Sequence, residues 1–457
     1  MSKMEITENI ALGPIVVVTL LFFFAVSALF LIAGKIVMAL GVAGIPIAFI
    51  LATHPRLSIY TYIFTLFIHY YPIPGSTILL IDFVTLVFLA SFVIDYLLNL
   101  RPNIRYPGVV AHGLALIGFM IISGIFAYNQ SLSVKPILRV IFQIPIIIAF
   151  YNLIDKREID RILKFGFTLF CLHSAANVFI FTARGGAYRV FGAPNVYYNE
   201  IGMLFAPVGI AFFLWARTWR ESLFYGFGSI LVIFGLLATQ SRAPLITVVA
   251  VGILLVAISF RKGRQILDTK VQRKAKWILL GTALITAVII GFSDIFKDVG
   301  ERFRTLAELD SGTVWLRISL WKTALIAFWS DPLTGIGPGN YRNVDAIFPF
   351  LKFDAARLYV LGYSSHNIFF HYLAETGIFG ALAMAAFYFK NYRTSRRLIG
   401  GDLLKKEPQV RMALFGASFA MFITIFYLNG WMWGQAAFLA PLLMALTAKF
   451  GNSIDNA

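Results

Sequence analysis

The side chains best suited to chemistry lie where long apolar runs meet polar turns. His366 stands between Ser365 and Asn367, where a long polar stretch gives way to an apolar run. Imidazole, with an unperturbed pKa near 6.5, is the side chain best matched to accepting a proton at neutral pH. Three arginines occupy similar borders: Arg242 in the turn Gln240-Ser241-Arg242, Arg317 early in LRISLWKTALIAFW, and Arg189 within RGGAYRVFGAPNVYYNE. A guanidinium is charged at any accessible pH and presents five donors in a planar fork that fits phosphate. Neighbouring arginines would also disfavour imidazolium and keep His366 available as a base. One histidine and several cations at one boundary would suit an anionic lipid with a phosphate leaving group.

Each residue also has a plainer reading that its local sequence leaves open. Arg242 could snorkel to lipid phosphates, Arg317 could belong to the solvated face of a surface helix, and Arg189 shares its loop with Arg184. Ser365 and Asn367 are natural helix caps, so His366 could be a capping-region histidine. His371 reads as packed within the helix that follows. Asp82, Asp95 and Glu200 lie in or near apolar runs without the pairing expected of a proton relay. There is no phosphate-binding loop of the P-loop type, no Gly-x-Ser-x-Gly elbow, no Asp-x-Asp cluster, and no His/Glu metal spacing. The single cysteine, Cys171, excludes an intramolecular disulfide framework and reads as a small buried hydrophobe.

The elements that must hold these side chains follow from composition. Of 457 residues, 59% are hydrophobic and 13% charged, and mean hydropathy is +0.80. One aqueous core cannot hide so much apolar surface, since soluble domains stop growing at about 250–300 residues. The sequence therefore reads as an all-α, polytopic membrane protein. Apolar runs of bilayer length fall near 11–34, 36–52, 57–70, 77–98, 108–127, 134–154, 162–181, 199–216, 222–239, 243–259, 277–292, 367–389, 412–428 and 433–449. The stretch from 36 to 70 could be re-entrant or merged, which leaves about 12–14 transmembrane helices. The first run, near Ala11 to Gly34, reads as a signal anchor without a cleavage site.

The net charge of +17 describes topology rather than a nucleic-acid partner. Basic residues gather between apolar runs, in Asp155 to Lys164, Arg261 to Lys276 and Lys390 to Arg411. Such segments hold loops on the cytoplasmic side, with membrane lipids as counter-charge. Parity then places both termini inside and the stretch 293–366 outside. That stretch carries Trp315, Trp321, Trp329, Phe348, Phe350 and Tyr359, too aromatic for disorder. Leu316 to Trp329 has apolar residues at helical spacing, which predicts an amphipathic helix on the membrane surface ended by Asp331-Pro332. Gly335 to Asn340, GIGPGN, would approach a ligand closely or simply reverse the chain.

These motifs together resemble the O-antigen ligase and Wzy-type polymerase superfamily. HNIFFHYLAETGIFG places nine residues between Asn367 and Gly377, then two before Gly380, as in the ligase signature. TQSRAPLI resembles a second signature, with Ile246 where the family has Leu four residues after the arginine. Arg317, Trp321 and DPLTGIGPGNY resemble a third, and RVFGAPN, from Arg189 to Asn195, resembles an earlier loop. The resemblance covers roughly residues 185–390 and implies a GT-C-like, metal-independent, inverting glycosyltransferase that needs no cofactor. It implies a donor glycan on undecaprenyl pyrophosphate at the outer leaflet of the inner membrane. His366 would serve as the base, Arg242 and Arg317 would hold the pyrophosphate, Arg189 would add a contact, and Asn367 and Ser365 would support the imidazole. The acceptor would be lipid A–core for a ligase, or a growing glycan of O-antigen, capsule or exopolysaccharide for a polymerase. A polysaccharide transporter is the reading from another class. On this basis the chain divides into N-terminal helices 1–184, a catalytic region 185–390 holding the periplasmic loop 293–366, and a basic loop with a C-terminal hairpin, 391–457.

Overall fold

The structure is a computed structural model. It describes residues 36–67, 80–99, 103–183, 198–239, 242–266, 270, 271, 273, 274, 276, 312–348, 364–400, 404–426 and 435–452. Every regular element among them is helical, and the protein is an all-α polytopic membrane protein. Among the described residues, six helices are long and apolar enough to cross a bilayer. The expected spans near 11–34 and 277–292 lie outside the described residues.

The chain forms two compact units, Met1–Pro102 and Asn103–Ala457. The first holds α1 (Ile36–Thr53), α2 (Pro55–Thr65) and α3 (Leu80–Leu98). Pro55 starts α2 because the first helical position needs no N–H donor. At 11 residues α2 is about 16 Å long and too short to cross a bilayer, which resolves the ambiguous stretch from 36 to 70 into one longer and one short helix. Tyr62 is fully buried and its ring meets Phe88 at 5.4 Å, which packs α2 onto α3.

The second unit contains α4 (Val109–Ile125), α5 (Gln130–Leu153), α6 (Ile159–Ala183), α7 (Tyr198–Leu214), α8 (Trp219–Ala238) and α9 (Arg242–Ile266). It continues with α10 (Gly312–Ser330), the single turn α11 (Val344–Ile347), α12 (Ile368–Leu398), α13 (Pro408–Thr424) and α14 (Gln435–Asn452). Its centre is α7 packed on α13, two helices apolar on every side and buried along most of their length. Helices α6, α8 and α9 pack on α7, α12 packs on α13, and α9 and α14 touch both members of the pair. Bilayer lipid offers little hydrophobic drive between helices, so close packing at small residues must supply it. Phe167 of α6 accordingly fills a notch between Gly209 of α7 and Gly228 of α8, with Cys171 beside the latter. The opposite faces carry lipid-facing stripes at helical spacing, such as Leu223, Phe227 and Ile230 on α8 and Ile246, Val249 and Ile253 on α9.

Contacts between basic and neighbouring groups fix which helix ends lie together. Lys156, just before α6, reaches Glu407 at the start of α13 at 3.8 Å. Lys164 of α6 lies 5.8 Å over the ring of Phe212 near the end of α7. The start of α6, the end of α7 and the start of α13 therefore share one end of the bundle. That end also holds Lys449, which donates to Tyr151 O in the last turn of α5 at 2.9 Å, where a cation complements the helix dipole. The end of α13, the start of α7 and the start of α9 lie at the opposite end.

Candidate functional site

Ser365, His366 and Asn367 form the entry to α12 at that opposite end. Asn367 caps the helix: its side chain accepts from Phe370 N at 3.1 Å and donates to Phe426 O beyond α13. Ile368 N donates to Ile425 O at 2.8 Å, so the entry of α12 is tied to the exit of α13 at two points. Fully buried Ser365 donates through Oγ to Asn367 O at 2.6 Å. Between these anchors His366 has φ +52°, a left-handed backbone that costs a non-glycine residue about 1 kcal/mol or more. The strain persists because both neighbours are fixed, and the imidazole is half-buried.

Arg317 comes to this imidazole by way of α10. Trp321, one helical turn further on, shares the Arg317 face of the helix. Its indole Nε1 donates to Ser365 O at 3.1 Å and its ring stacks on Phe370 at 5.6 Å. The result is visible electrostatically: burial, and then the Arg317 charge, lower the His366 pKa from the usual range to about 4. The imidazole is therefore neutral at physiological pH, as a proton acceptor must be. The predicted helix over Leu316 to Trp329 is present, and it ends at Ser330, before Asp331-Pro332. Leu320, Ala324 and Ala327 are buried against Ile336, Tyr341 and Ala374, so this stripe faces protein. Leu325 and Trp329 remain exposed.

The glycine-rich turn after α10 closes on protein backbone. Gly377 has φ +63° and interrupts α12, so Ile378 N bonds Pro332 O at 2.9 Å in place of its own helix's Ala374 O. Ala374 O, released by the break, accepts instead from Ile336 N of the turn at 3.0 Å, and Glu375 O accepts from Gly337 N at 2.9 Å. A Cβ on Gly335 would lie 2.4 Å from the carbonyl carbon of Glu375. Asn340 extends the clasp to the turn between α4 and α5, accepting from Asn129 N at 3.0 Å and donating to Asn129 O at 3.2 Å. The GIGPGN segment and the Gly377 break are thus two halves of one joint. The close approach anticipated for the glycines is to α12.

His371 is packed inside α12, as read from the sequence, and lies 3.3 Å from Glu375 with Tyr341 edge-on to its ring at 5.3 Å. Asp82 and Glu200 occupy the first turns of α3 and α7. Arg242 opens α9 at the same end of the bundle as His366; its backbone is described and its side chain is not. Arg189, Gln240 and Ser241 lie outside the described residues. Among the described residues, no group of three His, Cys, Asp or Glu gathers as a metal site requires. Trp321, Asn340 and Tyr341 stand in motifs quoted from the sequence without a joining role, and Glu375 was not singled out at all. A carboxylate within an apolar run was the available signal for Glu375.

Residues 227–385 match the O-antigen ligase family. The stretch begins within α8, ends within α12, and contains Arg242, Arg317, the glycine clasp and His366. The resemblance to the O-antigen ligase and Wzy-type superfamily is met over this region, about a third of the chain. Comparison with curated proteins gives no match.

Proposed function

We propose that the protein transfers a glycan from undecaprenyl pyrophosphate to an acceptor hydroxyl at the periplasmic face of the inner membrane, joining O-antigen to lipid A–core. The observation that carries this reading is the placement of a neutral imidazole, His366, within the field of a guanidinium, Arg317, inside the family-matching region. The acceptor oxygen attacks the anomeric carbon from the face opposite the leaving group, and the bond from that carbon to the phosphate oxygen breaks. The electron pair stays on the pyrophosphate, where Arg317, Arg242 and Arg189 bind the growing charge. The hydroxyl proton passes to a ring nitrogen of His366. An imidazole with a pKa of about 4 is a weak base in the empty site. Donor binding offsets the smaller of the two causes: the pyrophosphate balances the Arg317 charge and so raises the affinity of the imidazole for a proton, while burial still lowers it. Asn367 and Ser365 hold the backbone that aims the ring, and no metal or cofactor takes part. Catalysis is assigned to 185–390, with both termini cytoplasmic.

The test is transfer by purified protein given lipid-linked glycan, with lipid A–core or a second lipid-linked glycan as acceptor. Glycan on lipid A–core supports the ligase. Lengthened lipid-linked glycan assigns the same chemistry to a polymerase. Movement of intact donor across a vesicle membrane with no new glycosidic bond would replace the enzyme with a transporter.

A further inference from the structure

Helix α10 is gripped at two adjacent residues, Leu320 and Trp321, one turn beyond Arg317. Trp321 bonds the Ser365 carbonyl at 3.1 Å. Leu320 O accepts from the Tyr341 hydroxyl at 2.6 Å, and Tyr341 N in turn donates to Glu375 Oε1 at 3.1 Å. The Glu375 carbonyl accepts from Gly337 N at 2.9 Å and Ser123 Oγ at 2.7 Å, which fixes Glu375 to both flanking segments. Tyr341 and Glu375 are 1% and 2% exposed. An apolar side chain would fill the same space but could neither accept from Tyr341 N nor meet His371 Nε2, 3.3 Å from the other carboxylate oxygen, so packing alone does not account for Glu375. Burial, then the Glu375 charge, raises the Tyr341 phenol above its ordinary pKa and keeps the proton it donates. A slip of α10 by one residue would shift Arg317 about 1.5 Å and turn it by about 100°, which would remove its charge from His366.

We propose that Tyr341 and Glu375 are positioning residues: a brace from α12 to α10 that sets where Arg317 stands relative to His366. The role rests on the transfer reaction proposed above. The experiment uses the full chain in lipid nanodiscs with two readouts. One is the kinetics of transfer from lipid-linked glycan; the other, without donor, is titration of His366 by NMR of labelled histidine. Tyr341→Phe keeps the ring and removes one hydrogen bond. Its kcat should fall roughly 10-fold, as a small misplacement of a charge-stabilising group would cause, while accumulation in the membrane is retained. The His366 titration should move upward as the guanidinium recedes. In an Arg317→Ala background the same substitution should change neither readout. Glu375→Gln, which preserves an oxygen facing Tyr341 N, should keep more activity than Glu375→Ala. An unmoved His366 titration in Tyr341→Phe, or an equal rate loss with and without Arg317, overturns the brace. If Arg317→Ala itself transfers glycan at the parent rate, the catalytic reading fails instead, and the histidine titration still decides the brace.

Discussion

Replacing Gly335 by alanine tests whether the glycine-rich turn is a backbone joint. Gly335 has φ +70°, and its added Cβ would lie 2.4 Å from Glu375 C and 2.5 Å from Thr376 N. Those atoms belong to a helix backbone and cannot rotate aside, so the turn must withdraw by about 1 Å to reach ordinary contact. Withdrawal stretches the bonds from Ile336 N and Gly337 N, now 3.0 and 2.9 Å, beyond hydrogen-bonding range. A buried donor or acceptor left unsatisfied costs about 1–3 kcal/mol, and alanine at positive φ adds about 1–2 kcal/mol. The total of about 3–8 kcal/mol is comparable with the whole stability of an ordinary domain. Gly118→Ala in α4 is the control, because nothing lies within 4 Å of its Cβ, and alanine there favours the helix by up to about 1 kcal/mol. Thermal melting of the two purified variants, followed by fluorescence-detected size exclusion, compares them directly. A Gly335→Ala protein that melts with its parent would refute the joint.

His366→Ala should abolish glycan transfer with normal accumulation in the membrane; parent-like transfer would remove its catalytic role. Arg242→Ala and Arg317→Ala should each raise the donor concentration needed for half-maximal rate more than does Arg302→Ala, a charge of the stretch 293–366 outside the quoted motifs, and equal effects would leave Arg242 and Arg317 no special part in donor binding. Because His366 has a folded pKa of about 4, below the usual 6.5, the unfolded chain binds more protons between those values. Stability from this site is therefore complete above about pH 6.5 and declines toward pH 4. Going from pH 7 to pH 5 should cost at most about 2 kcal/mol, and melting curves of His366→Gln should lack that component. Transfer should continue in EDTA, and strict dependence on an added divalent ion would contradict the proposed chemistry.

Periodicity served well for the long helices, since an apolar run in lipid has no alternative to satisfying its own backbone. The runs at 77–98 and 134–154 correspond to Leu80–Leu98 and Gln130–Leu153. Where apolar length was marginal the sequence was ambiguous, and the break at His54-Pro55 decided the outcome. The helix after Gly312 was legible from spacing, but its partner was not. An apolar stripe reports that it will be buried, without saying whether lipid or protein covers it.

The order of residue types along the chain by itself determined an all-helical membrane protein, the Asp331-Pro332 stop, and the identities of the candidate base and cations. Those properties depend on near neighbours: hydropathy over about twenty residues, backbone propensity, and the chemistry of single side chains. Tertiary structure alone decided that Arg317 acts on His366, that the break at Gly377 receives the turn from Gly335, and that Glu375 and Tyr341 stand between them. Each depends on groups tens to hundreds of residues apart, such as Ser123 and Glu375. Such pairings come from backbone groups left open by one element and filled by another, which no local pattern of side chains records.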